Sequence, residues 1–373
     1  MNLYVTYNDS PSPIYSSQVV DVVKFINSNL KKPITLFAIV SLRNYFKSKK
    51  IIHQQLPDAW VIPMIPYVVL WQLNVIICFF LFLFIKPKVI ISRSVLATLI
   101  AQYASRNYTK IIYDGRGAIT AEWNEYNVVT SKYLLKKINN WEKSAVIKSH
   151  KRISISNALI DYWKEAFSYS SNDHVIIPCT LNSFYTSLNL KKDTIEANRK
   201  NMGYSSKDIV FIYSGSNAKW QSFNILNTAI TGLLKISINN KFLFLGNSNP
   251  FILSLMHAYP NQVNQFCVSE QEIPNLLMCG DYGLLLREES VTNKVASPIK
   301  FAEYLACGLG IIISPNIGDY TEFTIKRNCG FVYNKNLNLI RPKIIEKKRI
   351  REIAINHFTK STFREMYNTI FIN

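Results

Sequence analysis

The segment Ser297-Pro-Ile-Lys-Phe-Ala-Glu-Tyr-Leu-Ala-Cys-Gly308 has the pattern of a short helix that opens at a proline and closes at a glycine. Proline suits a first helical turn because the N–H that it lacks would be unpaired there, and Ser297 is predicted to be the N-cap. A strand predicted at Tyr282–Leu286 precedes this helix, so the helix N-terminus should lie at the carboxyl edge of a parallel sheet. Free N–H groups and the helix dipole make that place suitable for a diphosphate.

Charged residues surround this helix. Arg287, Lys294 and Lys300 are expected to supply positive charge to the diphosphate, together with the backbone at Ser297 and Pro298. Glu303 follows Lys300 by about one turn, so both should lie on one helix face, where the carboxylate would accept hydrogen bonds from a ribose diol.

A second loop of similar character is Ser214-Gly-Ser-Asn-Ala-Lys-Trp220, after the strand predicted at Ile209–Tyr213. Gly215 and Ser216 let the backbone approach an anion closely, and Lys219 adds a cation. Two such loops in one domain predict a phosphate site more strongly than either does alone. Each loop by itself is equally compatible with an ordinary βα turn.

Short β-branched runs alternate with helical stretches along the whole chain, which predicts parallel sheets built from βαβ units. Strands are predicted at Leu3–Tyr7, Ile34–Ile39, Trp60–Ile62, Val89–Ser92, Lys110–Tyr113, Arg152–Ile155, His174–Ile177, Ile209–Tyr213, Lys241–Leu245, Asn264–Cys267, Tyr282–Leu286 and Gly310–Ile313. Helices include Tyr15–Asn27, Val95–Ala104, Ser131–Lys148, Leu159–Phe167, Phe223–Ile236, Pro250–Ala258, Glu272–Met278 and Pro298–Ala306.

The two βαβ series predict two Rossmann-like, doubly wound domains that face each other across a central cleft. We expect a first domain at residues 1–185 and a second domain, which contains both predicted phosphate loops, at residues 186–345. A helical segment follows at residues 346–373. The Ser-, Asn- and Lys-rich stretch Asn182–Asp208 is the candidate linker.

Composition narrows the class of protein. The 373 residues are 48% apolar and 18% charged, which suits two packed domains rather than disorder. The net charge of +19 favours phosphorylated small molecules, nucleic acid or an anionic membrane face, although an AT-rich gene would give a similar composition. Six scattered cysteines without zinc-ligand spacing, and an N-terminus without a signal-peptide pattern, predict a cytoplasmic protein with reduced thiols.

The run Val68–Ile85 is intensely apolar, but it barely reaches the length of a membrane span, and Gln72 and Asn74 interrupt it. The first interpretation is a helix packed under a parallel sheet. The alternative is contact with the bilayer face, which would make the protein peripheral at the inner side of the cytoplasmic membrane.

The chain resembles glycosyltransferase family 4, whose members have the GT-B fold and occur widely in capsule and O-antigen gene clusters. In the second half, the resemblance is carried by Tyr213-Ser-Gly215, Lys219-Trp220, Asp281-Tyr-Gly-Leu-Leu-Leu-Arg287, Asn293, the helix segment from Ser297 to Gly308, Ile311-Ile-Ile-Ser314 and Ile317-Gly-Asp319. In the first half, it is carried by Tyr113-Asp-Gly-Arg-Gly117, Glu122, Trp141-Glu142-Lys143, Ser154-Ile-Ser156 and Ile177-Pro-Cys179.

The resemblance implies retaining transfer of a hexosyl or pentosyl group without a metal ion or other cofactor. The donor would be a nucleotide sugar, and the acceptor a glycan or lipid-linked glycan. The resemblance also implies that residues 1–185 are the acceptor-side domain, that residues 186–345 are the donor-binding domain, and that the C-terminal helix at residues 346–373 packs back on the first domain. Glu303 matches the glutamate expected to bind the nucleotide ribose. Lys300, Arg287 and Lys219 match positions near the diphosphate.

Three residues depart from the family pattern. Val295 replaces a second glutamate eight residues before Glu303, Gly310 stands where proline is usual, and the first phosphate loop has Lys219 but no arginine. The missing glutamate leaves the donor sugar open, and phosphoribosyl pyrophosphate is the alternative donor. A catalytically silent scaffold in a polysaccharide assembly complex is a further alternative.

On the acceptor side, four residues that follow a predicted strand are candidate contacts to the acceptor or the donor sugar: Asp114, Arg116, Gly117 and Glu122. Asp114 is also a candidate catalytic residue, together with Lys300 and Arg287. The alternative is an Asp–Arg pair that braces a loop. A nucleic-acid-binding protein would also explain the charge, but its lysines are dispersed and no known module signature is present, so no nucleic-acid partner is expected.

Overall fold

A computed structural model describes residues 1–65, 70–215, 222–334 and 339–372. The chain forms two compact units. The first unit consists of Met1–Asn182 together with Lys360–Asn373, and the second consists of Ser183–Thr359. The chain therefore passes between the units twice, at Asn182 and at Thr359.

The described strands form one parallel sheet in each unit. They are β1 Asn2–Tyr7, β2 Ile34–Ser41, β3 Trp60–Met64, β4 Val89–Arg93, β5 Lys110–Asp114, β6 Lys151–Ser154, β7 His174–Ile176, β8 Ile209–Ser214, β9 Asn240–Leu245, β10 Val263–Phe266, β11 Tyr282–Leu285, β12 Gly310–Ile313 and β13 Gly330–Val332. All twelve predicted strands are present, within two residues at each end.

The described α-helices are α1 Pro13–Tyr15, α2 Asp21–Phe25, α3 Tyr45–Gln55, α4 Trp71–Ile85, α5 Ser94–Ala104, α6 Ile119–Glu125, α7 Lys132–Lys148, α8 Asn157–Phe167, α9 Ser183–Thr186, α10 Lys192–Asn201, α11 Phe223–Ile236, α12 Pro250–Ala258, α13 Ile273–Met278, α14 Val291–Lys294, α15 Ile299–Ala306, α16 Tyr320–Lys326, α17 Ile344–Phe358 and α18 Arg364–Thr369. Turns of π-helix, Ser16–Val20 and Ile26–Leu30, follow α1 and α2. The helix predicted at Tyr15–Asn27 is therefore longer and irregular.

Strand order explains where a ligand site can form. The first sheet has the order β3-β2-β1-β4-β5-β6-β7 and the second has β10-β9-β8-β11-β12-β13. In both sheets the order reverses next to the first strand, between β1 and β4 and between β8 and β11. Open α/β sheets bind ligands outside the carboxyl ends of the strands at such a switch point.

The apolar strands are covered on both faces, as parallel sheets require. In β2, Leu36 and Ala38 belong to the core on one side of the sheet. Phe37 points to the opposite side, because successive strand residues alternate, and its ring lies 5.7 Å from that of Phe82 in α4. The doubly wound α/β architecture of both units is thereby confirmed.

The predicted linker Asn182–Asp208 is wrong. This stretch contains α9 and α10, and Arg199 in α10 is fully buried. Its guanidinium forms an ion pair with Asp281 at 3.0 Å and donates to the carbonyl oxygens of Cys279 and Asp208 at 2.7 and 2.8 Å. The polar composition concealed a helix that is anchored by one buried cation rather than by a long apolar stripe.

Asp281 collects further cations at the amino edge of the second sheet. Its second carboxylate oxygen lies 3.6 Å from the Lys347 ammonium, and Lys347 also donates to the carbonyl oxygen of Gly280. Burial lowers the pKa of Lys347, and the Asp281 carboxylate opposes that shift. The network ties α10 and α17, near the two ends of the second unit, to the same strand.

The C-terminal segment is divided differently from the expected boundary at residue 346. Helix α17 belongs to the second unit, because Phe358 packs against Phe301, Tyr320 and Phe323. Residues from Lys360 onward belong to the first unit. There Tyr367 and Ile370 are part of the core.

The strand β13 was not predicted from the sequence. It has three residues, and none of them is fully buried, so it lacks a run of apolar residues that would mark it. A Cβ at Gly330 would lie 2.0 Å from the carbonyl oxygen of Ile311, so glycine permits the close approach of β13 to β12.

We predict that Arg199→Met destabilises the second unit by about 3 kcal/mol, because it removes the main partner of a buried carboxylate. Lys200→Met is the matched control. Lys200 is exposed on the same helix, and its loss should change the free energy of unfolding by less than about 0.5 kcal/mol. Urea unfolding followed by circular dichroism measures both, and equal effects of the two substitutions would contradict a structural role of the network.

Candidate active site

A narrow recess lies at the switch point of the second sheet. Its lining comes from the carboxyl ends of β8 and β11 and from one face of α15, and consists of Tyr213, Ser214, Leu284, Leu285, Leu286, Arg287, Lys300 and Tyr304. Two of the predicted donor-site cations, Arg287 and Lys300, therefore meet in one place.

Tyr304 fixes α15 against the sheet. Its hydroxyl oxygen accepts a hydrogen bond from the backbone N–H of Ser214, at the end of β8, at 2.8 Å. The ring fits because position 283 carries no side chain, since a Cβ at Gly283 would lie 2.3 Å from the ring. Burial raises the pKa of Tyr304 and keeps the phenol protonated.

The start of α15 differs in detail from the prediction. Pro298 is the N-cap, the helix begins at Ile299, and no side chain caps it. Ser297 was predicted to cap the helix, but its hydroxyl lies 2.5 Å from the hydroxyl of Tyr320. Among the described residues, the N-cap Pro298 therefore offers no side-chain hydrogen bond to the first turn of α15.

Arg287 follows β11 directly and is held at both ends. Its backbone N–H donates to the hydroxyl of Ser314 at 2.9 Å, and its guanidinium lies 3.4 Å from the side-chain oxygen of Asn293. Asn293 is fully buried and also donates to the carbonyl oxygen of Glu288 at 3.0 Å. Asn293 thus shapes the loop that carries Arg287.

Lys300 and Glu303 form an ion pair at 2.8 Å on the outer face of α15, as their spacing predicts. Both side chains are partly exposed, so this pair adds little to stability. The Glu303 oxygen in this pair, Oε2, is buried, and its contact among the described residues is the Lys300 ammonium. The carboxylate can also accept a hydrogen bond from a ligand hydroxyl.

The glycine loop after β8 is described only at its first residue. Gly215 donates its N–H to the carbonyl oxygen of Leu245, and a Cβ at Gly246 would lie 2.4 Å from the carbonyl oxygen of Gly215. The ends of β8 and β9 therefore approach closely. The predicted donor-site residues Ser216 and Lys219 lie outside the described residues.

Lys294 and Val295 are neighbours in the sequence, but one is exposed and the other is buried. Lys294 was expected to bind the diphosphate, and Val295 stands where the family has a second glutamate. Lys294 is exposed in the last turn of α14 and does not line the recess. Val295, at the position of the missing glutamate, is 1% exposed. The position is thus part of the packed interior.

Two glycines near α15 have steric explanations. Gly310 stands in place of the usual proline, and a Cβ there would lie 2.9 Å from the Tyr282 ring. Gly318 has a φ of +49°, and a Cβ there would lie 2.3 Å from the carbonyl oxygen of Ala296. The Ile317-Gly-Asp319 element therefore supports the loop that leads into α15.

In the first unit, Asp114 lies at the carboxyl end of β5 and is fully buried. One of its oxygens accepts from the Tyr4 hydroxyl at 2.6 Å and from the Arg116 guanidinium at 2.8 Å. Burial, followed by the Asp114 carboxylate, raises the pKa of Tyr4. The predicted Asp114–Arg116 pair exists and braces the loop, which is the structural alternative named for these residues.

Arg93 and Asp9 belong to the same cluster, although the sequence did not indicate them. Arg93 ends β4, and its guanidinium lies 3.4 Å from Asp9 and 4.0 Å from Asp114. Five buried atoms of Asp9, Arg93, Asp114 and Arg116 have no hydrogen-bond partner among the described residues. Their positions in the sequence could have indicated them, because Asp9 comes just after β1 and Arg93 ends β4. These two strands flank the switch point.

The other residues predicted on the acceptor side have different surroundings. A Cβ at Gly115 would lie 2.5 Å from Trp163, whereas none of the described residues lies within 4 Å of one at Gly117. Glu122 is half-buried in α6, and burial raises its pKa. Glu142 accepts from the backbone N–H groups of Ile119 and Thr120 at the start of α6, and burial raises its pKa to about 7.

In the described parts of the chain, no three His, Cys, Asp or Glu side chains come together as metal ligands. Of the six cysteines, Cys78, Cys279, Cys307 and Cys329 are buried and all six are free thiols.

Comparison with known proteins shows the fold. No protein-family model matches the chain, and no curated protein matches it. Among solved structures, Anabaena Alr3699/HepE in complex with UDP is similar over 99% of this chain and 98% of its own, with a TM-score of 0.68 and 11% identity. A glycosyltransferase from Rickettsia africae gives 0.69 and 15%, over 100% and 99% of the two chains.

Sucrose-phosphate synthase from Thermosynechococcus elongatus gives a TM-score of 0.70 at 12% identity, over 100% of this chain and 98% of its own. Full coverage of both chains confirms the GT-B fold, with two Rossmann-like domains. At these identities the likeness shows the fold alone.

We predict that Gly283→Ala disrupts the site. The added methyl group must displace the Tyr304 ring and break its bond to Ser214, which should destabilise the second unit by about 1–3 kcal/mol. Gly232→Ala is the control, because Gly232 lies in α11 with nothing within 4 Å of an added Cβ. Its substitution should stabilise by up to about 1 kcal/mol. Differential scanning calorimetry compares the two, and a neutral Gly283→Ala would mean that Tyr304 is free to move.

Proposed function

We propose that this protein is a retaining, metal-independent glycosyltransferase related to glycosyltransferase family 4. It moves a glycosyl group from a nucleotide sugar to a lipid-linked or growing surface polysaccharide, as in capsule or O-antigen biosynthesis. The protein would work in the cytoplasm, at the inner face of the cytoplasmic membrane where such acceptors are found.

The observation that carries this proposal is the recess at the switch point of the second sheet. Arg287 and Lys300 line it, and α15, whose first turn contains Lys300, begins beside it. Cationic side chains and free amide groups are the ligands that a diphosphate requires. The fold-level likeness to a protein solved with UDP supports a nucleoside diphosphate as the first ligand to test.

The chemistry follows from charge. When the bond between the sugar and the diphosphate breaks, negative charge grows on the leaving phosphate. Arg287, Lys300 and the amide groups of α15 would stabilise that charge in the transition state without rearrangement. The Glu303 carboxylate, which Lys300 holds in place, would accept a ribose hydroxyl and keep the nucleotide in register.

The polar cluster of the first unit would serve the acceptor or the donor sugar. Asp9, Arg93, Asp114 and Arg116 offer both unsatisfied donors and unsatisfied acceptors. Sugar hydroxyls both donate and accept, so they match such a mixture. Asp114 would then act by holding Arg116 and Arg93 in place. Gly117 and Glu122 stay candidate contacts at the same edge.

A second candidate function is transfer of ribofuranose 5-phosphate from phosphoribosyl pyrophosphate. Val295 favours it, because this buried apolar side chain presents no carboxylate to a donor hexose. The diphosphate would occupy the same recess in both cases. The two functions therefore differ in the group transferred and not in the anion site.

The deciding experiment incubates the purified protein with a panel of sugar nucleotides and with phosphoribosyl pyrophosphate. Donor hydrolysis and the rise in Tm are both measured, with and without EDTA. Turnover of a sugar nucleotide that EDTA leaves unchanged supports the first function, and turnover of phosphoribosyl pyrophosphate alone supports the second. No response to any donor would leave a catalytically silent scaffold and refute transfer.

We predict that Lys300→Ala lowers kcat/KM for the donor by about 10²–10³-fold, because one cation at the leaving phosphate is lost. Glu303→Ala should raise the KM for the donor by about 10–100-fold, since the ribose loses a charged acceptor. Lys294→Ala is the control, because Lys294 is exposed and does not line the recess. Steady-state kinetics on the accepted donor measure all three, and an equal effect of the two lysine substitutions would mean that the site is misplaced.

A further inference from the structure

Helix α4 is apolar on both of its sides. Trp71, Cys78 and Phe82 face the interior of the first unit. The opposite side is exposed, with Leu73, Ile76, Ile77, Phe80 and Phe84 at 42, 56, 39, 57 and 85%. A helix that is hydrophobic all round is normally buried, but the described residues leave the outward side of α4 uncovered.

Helices α5 and α7 lie beside α4 on the same face of the sheet. Trp71 of α4 contacts Tyr103 of α5 and Trp141 of α7, with ring centroids 6.0 and 5.6 Å apart. Just after α5, the exposed Arg106 lies over the ring of Phe79 at 5.6 Å. The outward sides of these three helices form one surface, here called the α4–α7 face.

The charge on the α4–α7 face has a single sign. The sequence has no Asp or Glu between Asp58 and Asp114, whereas Lys86, Lys88 and Arg106 are exposed there. The outward side of α7 carries five exposed lysines, Lys132, Lys136, Lys137, Lys143 and Lys148. The one acid of α7, Glu142, is fully buried and bonded to backbone N–H groups.

We propose that the α4–α7 face docks this protein on an anionic lipid bilayer. The outward side of α4 enters the boundary between headgroups and acyl chains, and the lysines of α7 contact lipid phosphates. An apolar stripe flanked by unopposed cations is the composition that binds such a surface. The proposal depends on this face alone and not on the transfer reaction.

The geometry limits how α4 meets the membrane. The helix has 15 residues and is about 22 Å long, which is shorter than the hydrocarbon core. Among the described residues, no helix is long and apolar enough to cross a bilayer. One side of α4 is also needed by the core of the first unit. The helix therefore lies in the plane of the membrane and binds it reversibly.

Charge favours lipid over a second copy of the chain as the occupant. A twofold dimer through this face would bring the same patch of each copy together. The lysine row of α7 would then meet another lysine row with no exposed acid between them, which is unfavourable. Anionic phosphates neutralise the same row.

The test is sedimentation of the full chain with vesicles of phosphatidylglycerol and phosphatidylcholine. We expect binding to the mixed vesicles, at least tenfold weaker binding to pure phosphatidylcholine, and a steep loss of binding between about 0.1 and 0.5 M NaCl. Phe80→Glu/Phe84→Glu should weaken binding by more than tenfold. Lys136→Glu/Lys137→Glu/Lys143→Glu should also weaken binding to the mixed vesicles by more than tenfold.

Phe46→Glu is the matched control, because Phe46 is 84% exposed on α3, away from the α4–α7 face. It should bind vesicles like the unaltered protein. If Phe80→Glu/Phe84→Glu lowers the Tm, vesicle binding is measured with Phe80→Ser/Phe84→Ser instead. This variant should also bind vesicles more weakly than the unaltered protein. Donor hydrolysis in solution should be unchanged in the α4 variants, so failure of docking and failure of transfer are separate results.

Three outcomes would overturn the proposal. The first is no binding of the unaltered chain to mixed vesicles. The second is an equal loss in Phe46→Glu and in the α4 variants. The third is a dimer, seen by light scattering, that Phe84→Glu separates while vesicles bind neither form.

Discussion

The hydrogen bond from the Ser214 N–H to the Tyr304 hydroxyl is the contact on which the candidate site depends. It joins the end of β8 to α15 across β11, and it exists because Gly283 leaves room for the ring. The position of α15 then fixes Lys300 and Glu303, while Asn293 and Ser314 fix Arg287. The positions of Lys300 and Glu303 beside Arg287 thus depend on the hydrogen bond between Ser214 and Tyr304 and on the absence of a side chain at Gly283.

Much of the fold follows from sequence because parallel strands are continuous apolar runs. The first twelve strands could be predicted for this reason, whereas β13, which is half-exposed and depends on the close contact of Gly330 with Ile311, could not. The stretch before Asp208 was misread as a linker because its helix is held by the buried Arg199, and composition does not show which polar side chain will be buried.

The candidate site shows the same limit. Arg287, Lys300 and Glu303 could be found because they lie within one loop-and-helix segment whose spacing is visible in the sequence. Asp9 and Arg93 are far apart in the sequence, and they meet Asp114 only through the order of β1, β4 and β5. Side-chain partners such as Tyr320 for Ser297 likewise depend on packing between helices, which a pattern of residues does not specify.

The division of the chain also orders its biosynthesis. The first unit needs Tyr367 and Ile370 for its core, yet the whole second unit is translated before these residues. On the ribosome the second unit is a continuous segment and can reach its native state while the first still lacks part of its interior. The first unit consequently finishes folding last, and until then it exposes apolar surface that chaperones recognise.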